Sequence, residues 1–215
     1  MSPSDRIRSL VAAGTVSAQE GERLLRALDA APVAGSGWRS LDPFVRVGGG
    51  TLATIGAAVS ALGVATSRFG ARFDGFIDCH VARGHVVSLP TALVDQAVDW
   101  LVPALLFFAY ARACTRNVRA IDFVGFVGVA RAPLLLTAVV GAMIAPTSLA
   151  EALRLTSSMV AIVATGVVTL AALITLLYRG WKGASGLRGG KLVLGFVGLV
   201  FACEIATKVL LFVLS

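Results

Sequence analysis

The chain has 215 residues, 57% of them hydrophobic and only 14% charged, with a mean hydropathy of +0.85. Soluble domains hold roughly 45–50% apolar residues, and this excess excludes a single core wrapped in a polar, water-facing skin. A net charge of +7 and a pI near 10.2 would point to nucleic acid in a soluble protein, but no basic-and-aromatic interleaving accompanies them, so nucleic acid is not an expected partner.

Residues 1–30 read as a small helical hairpin. Ser2-Pro3-Ser4-Asp5 offers an N-cap, a proline at the first helical position and an acid in the first turn. Ile7, Leu10 and Val11 share one face, and Gly14 ends the helix. Ser17-Ala18-Gln19-Glu20 is a capping box that opens a second helix carrying Leu24, Leu25 and Leu28. Thirty residues bury too little surface to stand alone, so this module is expected to dock on a partner or on its own copy. Residues 31–46 read as a linker in which Trp38-Arg39 forms an interfacial anchor.

Five spans follow, because a membrane crossing takes about 20 apolar helical residues. Their approximate limits are 47–67, 91–111, 121–145, 155–178 and 192–214. The first strongly apolar run starts near Val47, beyond the reach of a cleavable leader, so the first span is expected to be a retained anchor. Gly49, Ala53 and Ala57 recur at four-residue steps along it, as do Gly56 and Ser60. Small residues at this spacing let helices approach closely. Packing within the chain's own bundle is the preferred reading of this row, and a dimer face the alternative.

Residues 68–90, which include Asp78, Cys79, His80 and His85, read as a polar, solvated loop. Their spacing matches no zinc pattern, so no metal is expected. The second span has Asp95 and Asp99 near its start and Pro103 inside it. Residues 118–131 read as an interfacial helix leading into the third span, with a kink or restart at Pro133 and a clean apolar run from Ala132 to Ala145. The fourth span is uncharged from Leu155 to Tyr178, and Glu204 and Lys208 interrupt the fifth.

Charges inside lipid cost about 2.5–3.5 kcal/mol each on insertion scales, so each needs a reason. Glu204 and Lys208 stand at i and i+4, in the order that pairs best; a self-neutralising structural pair is preferred over a relay. Asp95 and Asp99 also stand at i and i+4, and favouring the helix N-terminus is preferred over forming a cation or proton site. Arg131 is expected to meet headgroups rather than an acid from another helix. Together Asp95, Asp99, Arg131, Glu204 and Lys208 form the candidate intramembrane polar set. The three cysteines, Cys79, Cys114 and Cys203, lie far apart and define no disulfide framework. No catalytic motif is present, and no cofactor is expected: Gly48-Gly49-Gly50 lacks the lysine and hydroxyl of a phosphate loop.

Arg116-Asn117-Val118-Arg119 followed by the apolar run to Arg131-Ala132-Pro133 resembles the central segment of bacterial Yip (Ypt-interacting protein) domain membrane proteins. The turn from Tyr178-Arg179-Gly180-Trp181 to Lys191 is similar to that family's last cytoplasmic loop, and the count of five spans agrees. Residues 7–28 resemble the short SHOCT-like helical hairpin that bacteria attach to membrane proteins. The resemblance implies an all-α membrane bundle that organises or recruits other proteins, and it supplies no catalytic residue.

Basic residues set the orientation. With the N-terminus in the cytoplasm, Arg6, Arg8, Arg23, Arg26, Arg39, Arg46, Arg112, Arg116, Arg119, Arg179, Lys182, Arg188 and Lys191 lie inside, against Arg68, Arg72, Arg83 and Arg154 outside. Tyr178 and Trp181 then fall at the inner interface. The expectation is an inner-membrane protein with its C-terminus outside. Its expected partners are the lipid bilayer, a second copy of the chain and a cytoplasmic protein recruited by residues 1–30. A small ion- or proton-coupled transporter or channel, and a lipid-handling protein, remain the alternatives.

Overall fold

The computed structural model describes residues 3–30, 44, 47–81, 86–115, 118–146 and 156–214, with backbone alone for residues 3 and 27–30. The expected Trp38-Arg39 anchor and His85 lie outside the described residues. The chain forms two compact units, Met1–Val45 and Arg46–Ser215.

In the first unit, α1 (Pro3–Ala12) and α2 (Ala18–Ala30) pack as a hairpin. Gly14 turns the chain at a φ of +69°, a conformation that glycine adopts without steric cost. The capping box forms in both directions: the Glu20 amide donates to Ser17 Oγ at 3.3 Å, and the Ser17 amide donates to Glu20 Oε2 at 3.4 Å. Gly21 lies against Val11, where a side chain would collide with the valine. Leu10 and Leu24 remain exposed.

The second unit is a polytopic helical membrane domain. Among the described residues, five helical segments are long and apolar enough to cross a bilayer. They are α3 (Gly49–Ser67), α4 (Leu89–Cys114), the broken pair α5 (Ala120–Ala130) and α6 (Ala132–Ile144), α7 (Ser157–Ser185) and α8 (Gly189–Leu214). Ser88 caps α4, its hydroxyl accepting from the Thr91 amide, and Pro90 sits in the first turn, where no helical N–H is lost.

The third crossing, Ala120–Ile144, keeps its expected limits of about 121–145, but its first half differs from expectation. Residues 120–130 are not an interfacial helix: Phe123, Gly125, Phe126, Val127, Gly128 and Ala130 are all buried, and α5 packs on α3 and α7. The helix breaks at Arg131 and restarts with Pro133 in the first turn of α6. The sparse charge at Asp122 and Arg131 suggests an amphipathic surface, but Asp122 sits in the first turn of α5 and Arg131 at its end, and the helix between them is apolar and glycine-spaced.

That spacing explains the closest helix pair. Gly56 of α3 and Gly128 of α5 meet backbone to backbone, so that a Cβ on Gly128 would stand 2.6 Å from the Gly56 Cα. One turn away a Cβ on Gly125 would stand 2.8 Å from the Gly49 carbonyl oxygen. Of the small-residue row on α3, Gly49, Gly56 and Ser60 are buried and Ala53 half-buried, whereas Ala57 is exposed on the opposite side.

Residues 71–81 correct the expectation of a solvated loop. They form an antiparallel hairpin, β1 (Ala71–Gly75) and β2 (Asp78–Val81), with Arg72 opposite His80 and Gly75 opposite Asp78. Ala71 and Phe73 alternate with Arg72 and Asp74, which gives one face of the strand to the core. That face packs with Leu134 and Ala138 of α6 and Leu173 of α7. Phe76, in the turn, is completely buried.

The opposite half of the bundle is filled by aromatic rings. Phe107 lies 5.7 Å from Phe126 and 5.3 Å from Trp181, both edge to face, and 6.2 Å from Phe196. Trp181 is fully buried, and its indole N–H donates to the Leu192 carbonyl at 3.0 Å.

Candidate functional site: a polar centre beneath a docked hairpin

The site begins with the hairpin turn. A two-residue turn leaves backbone N–H groups without strand partners, and buried donors must find others. Here α8 supplies them. The Phe76 amide donates to Thr207 Oγ1 at 3.1 Å, and the Ile77 amide donates to Glu204 Oε2 at 3.1 Å. Lys208 then donates to Asp78 Oδ2 at 2.8 Å and lies 3.4 Å from Glu204 Oε1. Glu204, Thr207 and Lys208 stand one turn apart on α8, so a single helical face holds the hairpin tip. Gly75 permits the approach, since a Cβ there would stand 2.7 Å from Glu204 Oε1.

On the hairpin's side, His80 Nε2 lies 3.4 Å from Asp74 Oδ1 and 3.2 Å from Asp78 Oδ2. These three groups place one ligand atom each within 4.8 Å of one another. That convergence was invisible in the spacing, because it depends on strand register. The Lys208 ammonium already engages the Asp78 oxygen, so the arrangement is an ion-pair cluster with its own cation. Partial burial works to raise the pKa of Asp78. The Lys208 hydrogen bond and the positive charges of His80 and Lys208 outweigh it and hold the carboxyl below its ordinary value of 3.8. Burial, reinforced by the Asp78 charge, pushes the Cys79 thiol up to about 12.

Deeper in the bundle lies a second centre. Arg131 Nη2 is 3.2 Å from Asp99 Oδ2, and Arg131 Nη1 donates to Gln96 Oε1 at 3.2 Å. Both partners of the ion pair are withdrawn from solvent, with side chains 3% and 0% exposed. Phe73 of the hairpin covers the guanidinium, whose carbon is 5.8 Å from the ring centroid. At 1.5 Å per residue Asp99 lies about 15 Å along α4 from its first residue, Leu89. Asp99 Oδ1, Gln96 Nε2 and Arg131 Nε are buried without a hydrogen-bond partner among the described residues.

The five residues of the candidate set therefore separate into three pairings. Arg131 does not reach headgroups; it meets Asp99, because the helix break at residue 131 turns its side chain into the bundle. Asp95 and Asp99 are not capping groups, for α4 starts well before them at Leu89, under the Ser88 cap. Each has its own cationic partner: Asp95 faces Arg72 of β1 at 3.9 Å, while Asp99 faces Arg131. Glu204 and Lys208 do pair with each other, and both also reach the hairpin. The partners missed from sequence, Arg72, Gln96 and Thr207, carried no local signal.

The five long apolar helices define a polytopic helical membrane protein. Comparison with protein-family models, curated proteins and solved structures yields no match.

Proposed function

We propose that this chain is a non-enzymatic membrane organiser of the Yip-domain type, in which a five-span bundle anchors an interaction module. One observation carries the reading: oppositely charged groups of the membrane domain face one another across elements and hold the hairpin and the helices together. Asp99 with Arg131, and Glu204 with Lys208 and Asp78, tie separate elements into one scaffold. The aromatic cluster around Phe107 fills the other half. A scaffold of this kind suits a protein whose work is done by what it holds. Leu10 and Leu24 of the N-terminal hairpin are exposed and available to a partner or to a second copy. The resemblance of residues 116–133 and 178–191 to Yip-domain proteins supports the same reading. The basic residues favour an inner-membrane location with the N-terminus in the cytoplasm.

Cross-linking and mass photometry in lipid discs test this. The full chain is expected to form oligomers or capture a partner, and deletion of residues 1–30 is expected to abolish this. A monomer whose interactions survive the deletion contradicts the proposal.

A second reading, ion- or proton-coupled transport, is favoured by the unmatched polar atoms of Asp99, Gln96 and Arg131 in mid-span. Proteoliposome flux discriminates: a flux abolished by Asp99→Asn supports transport, and one unchanged by both Asp99→Asn and Glu204→Gln removes these residues from any pathway.

A further inference from the structure

The hairpin, the start of α4 and the end of α8 enclose a groove of about 470 Å³. A volume of this size suits a small amphiphile. Its walls include Val86, Val94, Leu211 and Leu214, and among the described residues the charged groups that line it are Arg72 and Asp95. The Val87 wall is held in place by Arg68, whose guanidinium donates to the Val87 carbonyl at 3.2 Å. The charged pair is unusual. Asp95 is only 5% exposed, yet Arg72 Nε stands 3.9 Å from its Oδ2, too far for a hydrogen bond, and Arg72 itself is 45% exposed. Among the described residues neither side chain makes a hydrogen bond. A buried carboxylate and a half-exposed guanidinium are thus set side by side with their bonding capacity unspent, at the end of apolar helices.

We propose that this groove binds the headgroup of a zwitterionic aminophospholipid of the phosphatidylethanolamine type. The chemistry is complementary point for point. The lipid ammonium donates to Asp95, the phosphate accepts from Arg72, and the first methylenes of an acyl chain lie along Val94, Leu211 and Leu214. An anionic lipid would place its charge against Asp95 with no ammonium to offset it. A choline headgroup carries the charge but has no N–H to donate. The site goes beyond a general affinity for bilayers, because it selects one headgroup.

Native mass spectrometry of the full chain in detergent, titrated with phosphatidylethanolamine, phosphatidylcholine or phosphatidylglycerol of identical acyl chains, tests the site. Phosphatidylethanolamine is expected to bind most tightly. Arg72→Gln and Asp95→Asn are each expected to weaken it about tenfold or more, the scale of a lost charged hydrogen bond. Val94→Trp, which fills the groove without touching either charge, is expected to abolish the preference, and it keeps the test valid if Asp95→Asn does not fold. Equal binding of phosphatidylglycerol, or a preference that survives Arg72→Gln and Val94→Trp, overturns the proposal. So does soluble phosphoethanolamine that competes as well as the lipid, since the apolar wall would then contribute nothing.

Discussion

Asp99 and Arg131 come from different crossings and meet at 3.2 Å in the middle of the bundle, each almost completely removed from solvent. Neither residue is tolerable there alone. Breaking a buried pair by removing one partner costs about 3–5 kcal/mol, because the other charge is left uncompensated. Replacing both with neutral groups costs much less.

A double-mutant cycle follows from this. Asp99→Asn and Arg131→Met are each expected to lower unfolding stability in detergent by about 3–5 kcal/mol. The double variant is expected to lose less than the sum of the two. Additive losses in thermal or denaturant unfolding would show that the pair is not an energetic unit.

The hairpin tip is held by two backbone-to-side-chain bonds on α8, so its docking can be loosened without unfolding the bundle. Thr207→Val removes the acceptor for the Phe76 amide, and Glu204→Gln removes the charge that accepts from Ile77. These changes are expected to cost about 0.5–1.5 and 1.5–3 kcal/mol. Hydrogen exchange at Phe76 and Ile77 should accelerate while the α3 and α5 amides keep their protection. Cys79 provides a second readout, since its thiol, pushed up to about 12, resists alkylation while the hairpin is docked. Exposed Cys114 is expected to react first, with Cys79 reacting only in the loosened variants. Equal labelling of Cys79 in wild type and Thr207→Val would contradict this.

Asp78 predicts the pH at which that lock opens. Its folded pKa lies below the ordinary 3.8, so its contribution is complete above that value and is lost as pH falls through the lower, folded value. The groups facing it are His80, Asp74, Lys208 and Glu204. After correction for intrinsic rates, exchange of the turn amides is expected to stay constant from neutral pH to about pH 4.5, and opening is expected to begin below the ordinary carboxylate value. Asp78→Asn should lack this acid step and open already at neutral pH. Opening of the wild-type hairpin between pH 7 and 5 would count against the assignment.

The Gly56–Gly128 approach sets the distance between α3 and α5. Gly128→Leu must displace backbone rather than a flexible side chain, and overpacking of this kind costs about 1–3 kcal/mol or more. Gly183→Leu, at a position where an added Cβ meets nothing within 4 Å, is the control. A Gly128→Leu protein that unfolds at the wild-type temperature would mean that the helices separate freely.

The spans were legible because hydropathy is a local property, summed over one helix at a time. So was the Glu204–Lys208 pair, whose i,i+4 spacing survives any tertiary arrangement. The same rule misled for Asp95 and Asp99. They share a helix face by spacing, yet each answers to a different partner, Arg72 or Arg131. The hairpin was hidden for a related reason. Its alternation of Ala71 and Phe73 with Arg72 and Asp74 is only a few residues long, and its charges resemble those of a solvated loop. What makes it a buried element is Thr207 and Glu204, far along the chain. The break at Arg131 was readable from Pro133, but the direction of the arginine was not.

The distance between the hairpin and its lock has a consequence for biogenesis. The turn at Phe76 is made early in translation, directly after the first crossing, while its acceptor on Thr207 lies 131 residues later, in the last. Until that final helix emerges from the ribosome and enters the membrane, the turn amides have no bonds waiting for them. Locking of the hairpin tip is therefore a closing event, and a nascent chain stalled before α8 leaves the Phe76 and Ile77 amides open to whatever surveys unfinished membrane proteins.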